Sequence, residues 1–243
     1  MTDDIEQLLK NLHLSALGEV VERELARAQK QKPSYEAFYG RILREQYQMQ
    51  RHRSMEYRIR AAALPERLPL ETFPFDLQPG VNAAQIHQLA ELGFIDKHEN
   101  IIFIGDTGVG KTGLASGLLL KALENGYRGL FVKAQDLFDE MLASVADRSS
   151  RKLIDRLTRI DVLLIDEMGY LNLRPEQTNL FFKLMEERYR RRTTLLTTNL
   201  HYDDWYEFLG RKEMVGALLG RLRHYCHTIH IKGPSLRHPA PTA

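Results

Sequence analysis

The sequence predicts an α/β protein built on a parallel β-sheet and preceded by a small all-helical domain. Two observations support this prediction. From residue 80 onward, short apolar segments alternate with longer segments of helical periodicity, whereas apolar residues recur at helical spacing before residue 64. Apolar strands that alternate with helices are typical of a parallel sheet covered by helices on both faces.

Size and composition suit a soluble, intracellular chain. At 243 residues, with 43% hydrophobic and 27% charged residues, it is long enough for one large domain and a smaller attachment. No segment approaches the run of about 18 apolar residues that a membrane helix needs, and the acidic start MTDDIEQLLK lacks a signal-peptide core. The single cysteine, Cys226, excludes an internal disulfide. We therefore expect a cytoplasmic protein without a membrane partner.

Residues 1–66 are expected to form the helical N-terminal domain, with a role in binding DNA or a partner. Leucines and valines recur at helical spacing until Pro33 breaks the pattern. Ser34 can cap a second helix, which we expect to end before Pro65. Prolines recur in the following stretch, so residues 67–79 are predicted to be a linker.

The strand–helix alternation defines the second domain, residues 80–234, and residues 235–243 are predicted to be a flexible tail. The predicted strands are 101–105, 129–133, 161–166, 193–198 and 227–231. The predicted helices between them are 111–125, 135–145, 149–158, 175–191 and 211–223.

The segment GDTGVGKT matches the phosphate-binding pattern G-x-x-x-x-G-K-[ST] in full. Glycines let the backbone turn tightly, so that its N–H groups converge on phosphate oxygens. The lysine reaches the β- and γ-phosphates, and the threonine hydroxyl ligates Mg²⁺. A strand precedes the pattern and a helix follows it, as phosphate binding requires. The residues expected to bind the nucleotide here are Gly105, Asp106, Thr107, Gly108, Val109, Gly110, Lys111, Thr112 and Gly113.

Polar side chains at two later strand ends predict hydrolysis. The apolar segment VLLIDE ends in Asp166, which is expected to hold Mg²⁺ together with Thr112, and in Glu167, which can polarise a water for attack on the γ-phosphate. The segment LLTTN ends in Asn199, whose amide can hydrogen-bond the attacking water and the γ-phosphate. Lys111, Glu167 and Asn199 are therefore candidate catalytic residues.

These motifs together resemble the AAA+ ATPases, and within them the chain resembles the IstB-type transposition helpers, relatives of the DnaC-type helicase loaders. The resemblance covers nearly the whole chain, and its most specific parts are IDEMGYL and GALLGRLRHYCHTIHIKG. It implies a three-layer αβα domain with strand order 5-1-4-3-2 and ATP held between neighbouring subunits of a homo-oligomer. It also implies binding of double-stranded DNA and a transposase partner encoded by the same element.

The resemblance also implies roles for arginines near the end of the chain. Arg221 occupies the position of an arginine finger that reaches the ATP of the next subunit, although Gly220 stands where relatives usually carry an acid. Arg223 is the alternative finger, and a surface arginine without such a role is the other interpretation. Arg237 is a candidate second contact to the nucleotide phosphates.

The distribution of charge favours a polyanionic partner. Net charge is only +2, but residues 41–60 hold six arginines against two glutamates, and residues 211–243 hold six basic residues against one acid. No groove-reading motif is present, so we expect contacts to the DNA backbone with little sequence preference. The alternative is a solvated basic surface. The candidate DNA contacts are Arg44, Arg51, Arg53, Arg58, Arg148 and Lys152.

These expectations combine into one function, a DNA-stimulated ATPase that assembles on target duplex DNA and assists a transposase. The alternative is a helicase loader of the DnaC type that acts in DNA replication. A small-molecule P-loop kinase is disfavoured because the sequence shows no arginine-rich lid and because the Asp–Glu pair suits water as the nucleophile. A binding module with inert nucleotide is disfavoured because Glu167, Asn199 and the candidate finger are all present.

Overall fold

A computed structural model of the chain describes residues 3–169, 171–210 and 212–237. The chain divides into two compact units, with the boundary between Tyr57 and Arg58. Within the described residues, no helix combines the length and the apolar character that crossing a membrane requires.

The first unit is helical, as its apolar spacing predicts. It contains α1 (Asp3–Asn11), α2 (Leu17–Gln31) and most of α3 (Tyr35–Ala61), which continues into the second unit. The predicted cap at the start of α3 is confirmed, because the Ser34 hydroxyl accepts the backbone N–H of Ala37 at 3.2 Å. A small core holds the unit together, made of Leu17, Val20 and Ile42 with Leu9, Leu14, Val21, Phe38 and Met49 packed against them.

The segment between α3 and the sheet contains only short helical elements. Two single turns of 3₁₀-helix, Leu70–Thr72 and Phe75–Leu77, precede α4 (Ala83–Leu89) and α5 (Gly93–Asp96). Asn82 caps α4 by accepting the N–H of Gln85 at 3.1 Å.

Five parallel strands form the centre of the second unit. They are β1 (Asn100–Gly105), β2 (Gly129–Lys133), β3 (Val162–Met168), β4 (Thr193–Thr198) and β5 (Cys226–Ile231). Their order across the sheet is β2-β3-β4-β1-β5, which confirms the order 5-1-4-3-2 implied by the resemblance. Because all five strands are parallel, the carboxyl ends of β1, β3 and β4 lie at one edge of the sheet. Ligands of such sheets bind at this edge, beside a strand such as β1 whose two neighbours come later in the chain.

The helices that follow the strands are α6 (Lys111–Glu124), α7 (Ala134–Ala146), α8 (Ser150–Thr158), α9 (Pro175–Arg188), α10 (Trp205–Leu209) and α11 (Lys212–His224). Every predicted strand and helix of this domain is present, with boundaries that differ by at most three residues, at the end of α9. The predicted first residue of α11, Arg211, lies outside the described residues. Strands β1 and β4 are almost completely buried, which is why they are apolar or threonine-rich along their whole length.

A buried arginine ties two helices to the sheet. Arg188, at the end of α9, is 1% exposed. Its guanidinium donates to the carbonyls of Leu157 at 2.7 Å and Ile160 at 2.9 Å, to the Thr194 hydroxyl at 3.0 Å and to the Thr193 carbonyl. Burial lowers the pKa of Arg188 to about 9, so the group remains a cation at neutral pH.

Candidate nucleotide-binding site

The loop between β1 and α6 has the backbone that phosphate binding requires. Gly108 and Gly110 adopt φ angles of 87° and 97°, in the region that favours glycine. The sequence suggested that Gly105 allows a tight turn, but the structure gives a different reason for glycine at this position. A methyl group there would lie 2.4 Å from the carbonyl oxygen of Ile231 on β5, so a side chain is excluded by close approach.

A pocket of about 240 Å³ lies beside this loop at the carboxyl edge of the sheet. Its lining joins predicted residues from the loop, from the ends of β3 and β4, and from the segment after β5. The lining residues are Thr107, Gly108, Gly110, Lys111, Thr112, Gly113, Glu167, Thr197, Thr198, Asn199, Leu236 and Arg237. The structure therefore brings together residues that the sequence spreads over more than half of the chain.

Lys111 is held at the loop by two backbone carbonyls. Its ammonium group donates to Gly105 O and to Asp106 O, each at 2.7 Å. Burial lowers the pKa of Lys111, and the nearby carboxylates of Asp166 and Asp106 oppose that change. The residue begins α6, so the positive end of the helix dipole adds to its charge. The loop therefore presents the lysine ammonium group and the positive end of α6 to an anion in the pocket.

Asp166 and Thr112 form an oxygen pair suited to a divalent cation. The Thr112 hydroxyl donates to Asp166 Oδ1 at 2.9 Å, and Asp166 is only 3% exposed. The Thr197 hydroxyl donates to the same carboxylate from β4. Carboxylate and hydroxyl oxygens are the donors that Mg²⁺ takes alongside phosphate and water, so these residues fit the ion that the sequence predicts.

Glu167 is exposed and lines the pocket, although it directly follows buried Asp166. In a regular strand, consecutive side chains point to opposite faces. Here the pairing of β3 with β4 shifts register between Ile165 and Met168, and Glu167 adopts a φ of 61°. Its backbone N–H donates to the Thr197 hydroxyl at 2.9 Å. This left-handed conformation costs about 1–3 kcal/mol for a non-glycine residue, and it keeps the carboxylate at the pocket.

Asn199 follows β4 and also lines the pocket. Its Oδ1 atom is buried and finds no hydrogen-bond partner within residues 3–169, 171–210 and 212–237. A buried acceptor of this kind is normally satisfied by water or by a ligand. A water in the pocket would supply the missing donor, which fits the role predicted for this residue.

The segment after β5 contributes the last part of the lining. The Leu236 N–H donates to Gly108 O at 2.9 Å, and Arg237 lines the pocket. Residues 235–237, which the sequence placed at the start of a flexible tail, therefore lie against the nucleotide loop. Residues 238–243 lie outside the described part of the chain.

Arg221 lies away from the pocket of its own chain. It is in the last turn of α11, just before β5, and the first residue of β5, Cys226, pairs with Asn100 at the start of β1. The nucleotide loop follows the carboxyl end of β1. Since β1 has six residues at about 3.3 Å each, its amino and carboxyl ends lie roughly 20 Å apart. Arg221 is 44% exposed and lies 3.4 Å from Glu186, whereas the Arg223 guanidinium lies 4.8 Å from the ring of Tyr202.

The candidate DNA contacts are split between the two units. Arg44, Arg51 and Arg53 are exposed on α3 in the first unit. In the second unit, the Arg58 guanidinium donates to the Leu123 carbonyl at 2.9 Å. Arg148, in the turn after α7, and Lys152, on α8, are both exposed.

Sequence reasoning missed two side chains that organise this site. Thr197 contacts both acids at the end of β3, and the repeated threonines of TTLLTTN were the available signal. Gln78 donates to the loop carbonyl of Val109 at 3.1 Å, and nothing in its local sequence predicted that contact.

Known proteins resemble this chain in both sequence and fold. Residues 7–241 match the model of a family described as IstB-like ATP binding protein. The chain is 36% identical over 234 residues to the ATP-binding protein of insertion sequence IS21 from Pseudomonas aeruginosa, covering 96% of this chain and 88% of that protein. It is 33% identical over 237 residues to the ATP-binding protein of insertion sequence IS5376 from Geobacillus stearothermophilus, covering 98% and 94%. A crystal structure of DnaI shares the fold, with a TM-score of 0.59 at 20% identity over 68% of this chain and 92% of that one.

Proposed function

The chain belongs to the family of IstB-like ATP binding proteins, and from this premise we propose that it is a DNA-stimulated ATPase that assembles on duplex DNA and assists the transposase of an insertion sequence. One observation carries the proposal of hydrolysis. Glu167, a carboxylate held at the pocket by a left-handed backbone, faces the same space as Lys111 and Asn199. A module that only binds nucleotide does not need a carboxylate in that place.

Binding of ATP is assigned to the loop and to the first turn of α6. Backbone N–H groups of the loop and the Lys111 ammonium would hold the β- and γ-phosphates. Thr112 and Asp166 would hold Mg²⁺, which supplies neutralisation of charge on the phosphate oxygens when bound. Arg237, which also lines the pocket, would add a second cation to the phosphate site.

Hydrolysis is assigned to the side chains at the ends of β3 and β4. Glu167 polarises a water and receives its proton as the water oxygen bonds to the γ-phosphorus. The bond from that phosphorus to the bridging oxygen of the β-phosphate breaks, so the products are ADP and phosphate. Asn199 Oδ1 accepts a hydrogen bond from the water and orients it.

A homo-oligomer completes the site in this proposal. Arg221 lies near the amino ends of the strands, whereas the pocket of its own chain lies at their carboxyl ends. It would therefore act on the ATP of a neighbouring subunit. Its only ion pair among the described residues, with Glu186, is long and exposed, so little energy holds it away from a neighbour. ATP at subunit interfaces would then link nucleotide state to assembly.

The DNA and transposase parts of the proposal have separate support. Exposed arginines on α3 suit contact with a phosphate backbone. The relatives from Pseudomonas aeruginosa and Geobacillus stearothermophilus are ATP-binding proteins of insertion sequences, which favours a transposase partner over the helicase of the alternative function. The likeness to DnaI extends to the fold alone.

The test is ATP turnover by the purified chain with Mg²⁺, measured without DNA, with plasmid-length duplex and with single-stranded DNA. Stimulation by duplex above single strands supports the proposal, as does ATP-dependent retention of the cognate transposase on immobilised protein. Stimulation by single strands with retention of a replicative helicase would favour the loader. No turnover under any of these conditions would refute the assignment as an ATPase.

A further inference from the structure

A buried glutamine outside the nucleotide motifs connects two parts of the site. Gln78 follows the 3₁₀ turn Phe75–Leu77, and its residue is 0% exposed. Its Nε2 atom donates to Val109 O in the nucleotide loop at 3.1 Å and to Pro234 O after β5 at 2.9 Å. One side chain thus bridges segments that lie 31 and 156 residues away in sequence.

Close packing fixes the segment that Gln78 contacts. A methyl group on Gly233 would lie 1.7 Å from Gln78 Oε1, and one on Gly80 would lie 1.8 Å from Lys232 O. A side chain at Gly80 would collide with the backbone of Lys232, and one at Gly233 would displace the amide of Gln78. Residues 232–237, which we name the strap, are therefore pressed against the residues that lead into the domain.

The far end of the strap reaches the nucleotide loop directly. The Leu236 N–H donates to Gly108 O at 2.9 Å, and the Ser235 hydroxyl accepts the N–H of Arg237 at 3.3 Å. The strap is thus attached to consecutive parts of the loop, at Gly108 by its own backbone and at Val109 through Gln78. Arg237 reaches the pocket from this segment.

Arg237 and Lys111 face the same space. Both side chains line the pocket beside the nucleotide loop. Two cations that face one space repel each other, and an anion bound between them relieves that repulsion. The strap therefore holds its arginine where a phosphate would bind.

The cost of burying Gln78 suggests that its contacts matter. Its Oε1 atom is buried without a hydrogen-bond partner in the described part of the chain. An unsatisfied buried acceptor is destabilising, and an apolar side chain of similar volume would avoid it. Such a side chain would also release the loop from the strap.

We propose that Gln78 is a positioning residue that, by joining the strap to the nucleotide loop, places Arg237 at the phosphates of the bound nucleotide. This inference rests on ATP as the ligand of the pocket. It assigns to the strap the role of responding to nucleotide binding, because its arginine and its attachment points both lie at the phosphate site.

The test is a double-mutant cycle on the dissociation constant of a fluorescent ATP analogue, using the full chain. Gln78→Leu and Arg237→Ala should each weaken binding about tenfold, the range for loss of one hydrogen bond to a charged group. Because both changes remove the same contact, the double variant should bind less than about twofold more weakly than Arg237→Ala. Gln177→Leu is the matched control, since that buried glutamine donates to Phe138 O away from the pocket and should leave the dissociation constant unchanged.

Four outcomes would overturn the inference or the proposed function. Multiplicative losses, about a hundredfold in the double variant, would show that Gln78 does not act through Arg237, and an unchanged constant for Gln78→Leu would also overturn the inference. If the unaltered chain binds no ATP, the proposed function fails, and the inference fails with it. Should Gln78→Leu not fold, Gln78→Met allows a second measurement. ATP should slow backbone hydrogen exchange at residues 235–237 in the unaltered chain and not in Gln78→Met, and equal protection in both would contradict the inference.

Discussion

The Thr197 hydroxyl accepts the backbone N–H of Glu167 at 2.9 Å. The same hydroxyl donates to the carboxylate of Asp166. Thr197 is completely buried and belongs to β4, whereas the two acids lie near the end of β3. A single side chain on the neighbouring strand therefore fixes both the metal-binding carboxylate and the left-handed backbone that turns Glu167 toward the pocket.

Replacing Thr197 by valine should separate hydrolysis from binding. Thr197→Val keeps the shape of the side chain but removes both hydrogen bonds, so Glu167 loses the contact that fixes its backbone. We expect ATP turnover to fall about a hundredfold, the size of effect that small misplacements of catalytic groups produce, while the affinity for ATP changes by less than about threefold. Steady-state turnover and binding of a fluorescent ATP analogue measure the two quantities.

Thr193 supplies the matched control for that experiment. It is buried on the same strand, and its hydroxyl finds no hydrogen-bond partner in the described ranges. Thr193→Val should therefore leave turnover nearly unchanged. Equal turnover in Thr197→Val and Thr193→Val would contradict the role given to Thr197.

Glu167→Gln should trap the protein on DNA. The amide keeps the size of the carboxylate but cannot take a proton from water, so ATP binds without being cleaved. If hydrolysis releases the assembly, this variant should leave a fluorescent duplex at least about tenfold more slowly than the unaltered chain in the presence of ATP. Lys111→Ala, which removes the phosphate contact, should not assemble on the duplex at all. Release from Glu167→Gln at the normal rate would show that hydrolysis does not control dissociation.

Much of the fold could be predicted, because burial restricts the residue types that each strand and helix can contain. Parallel strands buried on both faces must be apolar throughout, so IIFIG and VLLID were recognisable without any tertiary information. The short helix α10 was missed because a five-residue helix has too little periodicity to detect. The break between α1 and α2 was also missed, because leucines continue through a turn in which His13 adopts a φ of 57°.

Site residues that belong to contiguous motifs could be predicted, whereas site residues that only tertiary contacts bring together could not. The loop, Asp166 and Glu167 belong to contiguous motifs whose spacing carries the chemistry. Gln78 and Thr197 reach the same pocket through strand pairing and long-range packing, which one sequence does not encode locally. For the same reason, no local pattern predicted that residues 235–237 lie against the loop.

Activity should be recoverable by mixing two inactive variants if Arg221 acts on a neighbour. Arg221→Ala should lower turnover by about 10³ or more, as loss of an arginine finger does. Glu167→Gln subunits retain Arg221 and can supply it to the intact pocket of an Arg221→Ala subunit. The mixture should then hydrolyse ATP faster than either variant alone. Arg223→Ala is the control, and loss of activity in it with no recovery in the mixture would assign the finger to Arg223.

Arg188 should contribute strongly to stability and not to catalysis. Arg188→Met leaves the carbonyls of Leu157, Ile160 and Thr193 without their donor, so we expect a loss of about 3–5 kcal/mol in the free energy of unfolding. Arg191→Ala is the control, because Arg191 is 73% exposed and its pair with Glu187 is worth little. Denaturant unfolding measures both.

The same variant tests the charge state of Arg188. Burial lowers its pKa to about 9 in the folded chain, below the ordinary value for arginine. The unfolded state therefore binds more protons between about pH 9 and pH 12, and the contribution of Arg188 to stability should rise with pH only in that range. From about pH 6 to pH 8 the group is charged in both states. The stability difference between Arg188→Met and the unaltered chain should then be constant, and a slope over this interval would contradict a protonated buried guanidinium.

DNA affinity should fall steeply with salt, and the exposed arginines of α3 should account for part of the slope. Each phosphate contact contributes about 0.9 to the slope of log affinity against log salt, so the double variant Arg51→Ala, Arg53→Ala should lower that slope by about 1.8. Arg23→Ala is the control within the same unit, because Arg23 is 60% exposed but pairs with Glu45 at 3.5 Å. Fluorescence anisotropy with a labelled duplex at several salt concentrations gives the slopes. An unchanged slope in the double variant would remove α3 from the DNA interface, and the exposed Arg148 and Lys152 of the second unit would then be the next pair to test.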